Sequence, residues 1–265
     1  MKKFLFVFSI CISNILFAQN ELFFLYKSDW SDAKDMKEAT YFMHMLKEND
    51  TAFVCRYYNV TGPMLKMETY QDRELTIPKG RFSWYNQNGW LDSTGFVYHG
   101  RKDGIWYYMD IDSAHIVVRE EYIRGKFQKR IDYRNEKITN ADGTSEPLDK
   151  PKPKDDNKQD SVIQIEATFR NGLKDWKVYL MKNMKTPERF INLANGYKKA
   201  SPMVSFNIDK EGNVVEVQLV KTAEWSVDME ALRVIKNSPK WTPATQDGKP
   251  VIYRQRQSLT FVVEE

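Results

Sequence analysis

MVSFNIDKEGNVVEVQLV, residues 203–220, decides how the second half of this chain folds. Val204, Phe206 and Ile208 alternate with more polar neighbours, the period of a strand with one buried face. Asp209, Lys210, Glu211, Gly212 and Asn213 follow, placing a glycine where a short antiparallel connection needs positive φ. Val215, Val217 and Leu219 resume the alternation, so the stretch predicts a β-hairpin. A helix comes next. Ser226 or Asp228 is placed to cap it, Val227, Ala231, Val234 and Ile235 share one face, and Pro239 stops it. Beyond Trp241, Pro243 and the turn at Asp247, Gly248, Lys249 and Pro250, a last strand is predicted across residues 251–263, with Leu259, Phe261 and Val263 on one face.

This order of strand, strand, helix and strand carries several local marks. They are Ile208-Asp209-x-x-Gly212, Glu230-Ala231 inside the helix, Pro239-x-Trp241-x-Pro243, the run from Asp247 to Val251, and Phe261 near the end. Together they resemble the C-terminal domain of TonB, the energy-transducing protein of Gram-negative envelopes, in the form common among Bacteroidetes-type sequences. Upstream, Leu173, Trp176, Leu180 and Met184 fall at i, i+3, i+7 and i+11 and match that family's first helix. The resemblance covers residues 165–265. It departs at Thr186-Pro187, where the family has Tyr-Pro, and at Ser201-Pro202, where the family has a glycine before the first hairpin strand.

The resemblance implies an α+β domain, a small antiparallel sheet packed on two helices. It also implies a non-enzymatic module without a cofactor, whose last strand lies at a sheet edge and pairs with a short extended segment of an outer-membrane transporter. Carried over, the partner-binding candidates are Arg254, Gln255, Arg256, Gln257 and Ser258. Positive and polar residues on an edge strand are also how proteins prevent unwanted pairing, and both explanations stay open for Arg254 and Arg256.

The first half is organised by a repeat. Gly80, Phe82, Trp84 and Tyr98 recur as Gly104, Trp106, Tyr108 and Tyr122, each 24 positions later. A weaker copy contains Tyr57, Tyr58, Gly62 and Tyr70. Each unit predicts a β-hairpin that buries its aromatic face by stacking on neighbours, as in a β-solenoid. The stretch GRFSWYNQNGWLDSTGFVYHGRKDGIWYY, within residues 56–130, resembles MORN-type repeats of exported bacterial proteins. Most of these aromatics are expected in the core; Trp84 and Trp90 are the candidates for an exposed aromatic ladder.

Residues 140–161, NADGTSEPLDKPKPKDDNKQDS, are predicted to be a linker between residues 19–139 and 162–265. Extended, they would reach about 70 Å at most. Lys2, Lys3 and the apolar run to Ala18 predict a secretory leader cut after Ala18. At about 22 Å as a helix, that run is too short to span a bilayer. Cys11 lies inside it, which leaves Cys55 on an alternating strand as a buried thiol without a partner for a disulfide.

The net charge of +4 is spread among interspersed acids and bases, which argues against nucleic acid as a partner. No spacing of His44, His99 and His115 suits a metal, and Glu120 and Glu121 would point to opposite faces of a strand. The expectation is therefore a periplasmic or envelope-associated binding protein without enzymatic activity, metal, or stable membrane span. Its partner would be an outer-membrane receptor or another envelope protein, captured by strand addition. The alternatives are a scaffold whose repeat domain binds the partner while the C-terminal domain docks or forms a homodimer, and a glycan-binding protein using Trp84 and Trp90.

Overall fold

The computed structural model describes residues 20–149, 164–193 and 198–264. The predicted leader with Cys11 and most of the predicted linker lie outside these residues. The chain divides into two compact units, one built mainly on residues up to Pro147 and the other on residues from Leu148.

In the first unit the strands are β1 (Glu21–Tyr26), β2 (Tyr41–Asn49), β3 (Ala52–Asn59), β4 (Met64–Tyr70), β5 (Lys79–Tyr85), β6 (Leu91–Tyr98), β7 (Arg101–Met109), β8 (Ile116–Ile123), β9 (Lys126–Asp132), β10 (Lys137–Asn140) and β11 (Ser145–Pro147). Among the described residues they form one eleven-stranded antiparallel meander, with strand order following chain order. The hairpins therefore continue a single sheet edge to edge and do not coil into the expected solenoid. Turns as tight as His99-Gly100 and Arg124-Gly125, all four residues at positive φ, return each strand beside its predecessor and leave no chain to cross to another layer. The sheet runs on to Pro147, into residues whose composition suggested linker.

Two of the four repeat pairs meet equivalent surroundings, whereas Tyr98 is exposed and Tyr122 half-buried, and Gly80 is crowded by Thr69 where Gly104 is open. Phe82 and Trp106 are buried, whereas Trp84 and Tyr108 are half-buried. Trp106 lies flat on the backbone of Gly95, where an added Cβ would come within 2.3 Å of the ring, and its indole N–H donates to the Phe96 carbonyl at 2.9 Å. Cys55 is fully buried beside Met43, Met45 and Phe53.

A charged network recurs along this sheet. The Lys66 ammonium meets Glu68 at 2.8 Å and the Tyr70 hydroxyl donates to the same carboxylate at 3.0 Å. Further along, Glu120 accepts from the hydroxyls of Tyr108 at 2.8 Å and Tyr122 at 2.9 Å and from Arg130 at 3.0 Å, with Lys102 at 3.6 Å. Burial pushes the Glu120 carboxyl up, but these hydroxyls and cations outweigh it and hold it below its ordinary value.

A carboxyl lowered by folding adds stability above its unfolded value, about 4.5, and that stability is lost as pH falls through the folded value. The unfolding midpoint of the first unit should therefore drop in acid below about pH 4.5, and Glu120→Gln should flatten the drop. A midpoint titration superimposable for the two proteins would show that Glu120 is not linked to folding.

The second unit comprises β12 (Gln164–Ile165), α1 (Leu173–Asn183), α2 (Glu188–Asn192), β13 (Lys198–Ala200), β14 (Met203–Ile208), β15 (Val214–Lys221), α3 (Trp225–Lys236), β16 (Ala244–Gln246), β17 (Lys249–Val251), β18 (Tyr253–Ser258) and β19 (Phe261–Val263). β14 is the centre of the sheet β15-β14-β18; β12, β16 and β17 form a second small sheet, and β13 pairs with β19. The predicted hairpin forms as read, with Gly212 at φ 84° and the Asp209 carboxylate accepting from the backbone N–H groups of Glu211 and Asn213.

Three sequence expectations need correction. The single last strand divides into β18 and β19 around Leu259-Thr260. Leu259 donates to the carbonyl of Pro202 at 3.0 Å, but proline has no N–H to return, so the β14 ladder ends there and β19 pairs with β13 instead. The cap of α3 is Glu224, not Ser226 or Asp228; its carboxylate accepts from the Ser226 N–H at 2.9 Å, while Asp228 reaches back to the Ala223 N–H at 3.0 Å. Leu173 does not share the buried seam of α1 but is 67% exposed. Trp176 is the buried residue of that helix, with Tyr179 stacked on it at 5.4 Å.

Candidate functional site

Val204, Phe206 and Ile208 of β14 are buried against α3, whose Val227, Ala231, Val234 and Ile235 are fully buried. β18 lies on one side of β14 in unbroken antiparallel register, from Ile208 opposite Tyr253 to Met203 opposite Ser258. On the other side β15 carries a register break near Glu216, which sits at φ 52° and accepts from the Asn207 side chain at 2.8 Å. The sheet thus has a bulged margin at β15 and a regular one at β18.

The hydrogen-bond alternation fixes which β18 groups face outward. Leu259 bonds to Pro202, so the residues opposite each other in the same phase, Gln257 with Val204, Gln255 with Phe206 and Tyr253 with Ile208, are the hydrogen-bonded pairs. The intervening residues, Arg254 and Ser258 among them, direct their backbone N–H and C=O groups away from β14.

Side chains alternate as well. Tyr253, Gln255 and Gln257 are half-buried on the face of Val204, Phe206 and Ile208, while Arg254, Arg256 and Ser258 are exposed on the other. Gln257 accepts from the Trp176 indole N–H at 2.9 Å, which holds α1 against β18. Partial desolvation of the otherwise exposed Arg256 guanidinium, together with the neighbouring Arg254, lowers its pKa from the ordinary value. Two like charges on one face make this margin electropositive.

The strand is supported from beneath by an aromatic cluster. Trp241 lies 5.6 Å from Phe206, 5.1 Å from Trp176 and 5.3 Å from Phe169, ring centre to ring centre. Its backbone closes on the hairpin turn: the Trp241 N–H donates to the Gly212 carbonyl at 2.9 Å. A Cβ on Gly212 would stand 2.1 Å from the Trp241 carbonyl oxygen, so the close approach requires glycine.

The other candidates are placed differently. Trp84 is half-buried, with its ring 6.0 Å from Phe82 and 5.8 Å from Trp106, and Trp90 is also half-buried. Among the described residues the large aromatics with greater exposure are Phe23, Trp30, Phe96, Tyr98 and Tyr133. No group of three or more His, Cys, Asp or Glu among the described residues is placed to hold a metal, and no helix among them is long and apolar enough to cross a membrane.

Sequence reasoning missed the ion pair that locks α2 to the start of α3. Arg189 Nε donates to the buried Glu224 carboxylate at 2.7 Å, and the Ser226 hydroxyl donates to the same group. The two partners are 35 residues apart in the chain, and glutamate is not among the preferred capping residues. A mid-sequence Glu-x-Ser before an apolar helical period was the one local signal available.

No curated protein and no solved structure matches this chain. Residues 198–263, from the first residue of β13 to the last of β19, match the family model described as Gram-negative bacterial TonB protein C-terminal.

Proposed function

We propose that the second unit is a protein-binding module of the bacterial envelope that captures an extended segment of its partner along β18. The observation that carries this reading is the regular outer margin of β18, lying within the residues that match the TonB C-terminal family. The Arg254 backbone groups and the Ser258 N–H would supply the added ladder, the Ser258 carbonyl already accepting from the Gln257 side-chain amide at 2.9 Å, and the Arg254 and Arg256 side chains would favour a partner strand bearing acidic residues. Main-chain pairing gives affinity with little demand on sequence, so the side chains on the exposed face set the selection.

In the fuller form of this reading the chain is exported, the partner is an outer-membrane transporter or another envelope protein, and the module takes part in transport across that membrane. The first unit would then be a MORN-like scaffold, joined to the second through the rest of the linker predicted at residues 140–161. The protein acts by binding and not by catalysis.

A photoreactive amino acid placed at Ser258 should cross-link in cells to a defined envelope protein, and the same residue placed at Glu216 on the bulged margin should not. Arg254→Pro removes one outward N–H while leaving the N–H bonds from β18 to β14 in place. It is expected to reduce the Ser258 adduct at least tenfold. Equal adducts from Glu216 and Ser258, or an adduct indifferent to Arg254→Pro, would rule out strand addition at β18.

A further inference from the structure

The outward side of α1 has a composition that β18 does not explain. Met181 is 83% exposed, Leu173 67% and Val178 42%. Lys174, Lys177, Lys182 and Lys185 are exposed among them. Helical spacing sets Leu173, Lys177 and Met181 in one row and Lys174, Val178 and Lys182 in the next, with Lys185 just beyond the helix end. The buried side, through Trp176, faces the aromatic cluster and Gln257.

The one acid of the helix, Asp175, is half-buried and accepts from the Asn171 side chain at 2.9 Å. Among the described residues none of the four lysines has an ion-pair partner. Single exposed apolar residues are ordinary on a protein surface. Three in an eleven-residue helix, interleaved with three unneutralised lysines and followed by a fourth just past its end, are a combination that a merely solvated face does not call for.

We propose that this face of α1 docks on an anionic lipid surface. Leucine, valine and methionine would enter the boundary between headgroups and acyl chains, while the flexible lysine stems extend sideways to lipid phosphates. Cations interleaved with the apolar row suit that occupant better than an apolar protein groove, which would leave the lysines buried without partners. Each lysine near an anionic surface strengthens binding by about fivefold, so the attachment is reversible and weakened by salt. It does not depend on strand capture at β18, because no residue of that margin takes part.

Sedimentation of the full chain with vesicles tests this. The protein should bind vesicles of phosphatidylcholine mixed with phosphatidylglycerol, release from them at high salt, and not bind phosphatidylcholine alone. Lys174→Glu/Lys177→Glu/Met181→Ser should weaken binding at least tenfold. Lys126→Glu/Lys137→Glu, the same charge change on exposed positions of the first unit, should leave it within about twofold. Met181→Glu alone, an exposed single change checked for unaltered circular dichroism, should also weaken it. Failure of the unaltered protein to bind mixed vesicles, equal binding to both vesicle types, or equal losses in the α1 and control variants would overturn the proposal.

Discussion

Trp241→Ala is expected to destabilise the second unit by about 3–5 kcal/mol, the usual cost of truncating a buried aromatic. The ring is 7% exposed and touches Phe169, Trp176 and Phe206, so its loss opens a cavity under β14 where α1 and the sheet meet. The Ser238 hydroxyl also loses the indole N–H that donates to it at 3.2 Å. The backbone contact with Gly212 survives the substitution, so the hairpin should keep its turn while its support loosens. Urea unfolding followed by amide exchange of β14 amides would read the loss. A change below about 1 kcal/mol would mean that the cluster is not the core of this unit.

Arg189→Ala should cost about 3–5 kcal/mol by a different route. The Glu224 carboxylate is buried, and without the guanidinium it keeps only the Ser226 N–H and hydroxyl as partners. A buried charge stripped of its counter-charge costs far more than the pair was worth, because desolvation is no longer offset. Glu224→Leu in the Arg189→Ala background should therefore recover part of the stability, although α3 loses its cap at a cost of about 1 kcal/mol. Double-variant unfolding midpoints no higher than those of Arg189→Ala would show that the single substitution acts by some other means.

Much of the second unit was legible because its signals are local. Alternation at Val204, Phe206 and Ile208, the glycine turn, and the apolar face of α3 each lie within a few residues and point to one answer. The same holds for the hairpins of the first unit, whose 24-residue recurrence announced the strands but not their arrangement. Whether hairpins coil or continue a sheet depends on how neighbouring turns direct the chain, which composition does not encode.

The candidate margin was legible in part. Arg254 to Ser258 could be identified as a strand, but its division from β19 depends on Pro202 across the ladder, and the hold of Trp176 on Gln257 spans 81 residues. The exposed side of α1 was obscured for a related reason. Leu173 falls on the helical period of Trp176, yet it stands at the first position of the helix and is exposed, while Trp176 is the buried residue. Periodicity reports which residues could share a face, and packing decides how wide that face is.

Residue-resolved amide exchange along β18, measured on the isolated protein at several concentrations, bears most directly on strand capture. The N–H groups of Gln255 and Gln257, bonded to β14, should exchange slowly, while those of Arg254 and Ser258 exchange orders of magnitude faster at every concentration. Slow exchange at Arg254 and Ser258 in the protein alone would show that the margin is already covered, whether within the chain or, where protection grows with concentration, by a second copy, and would contradict capture of a foreign strand there.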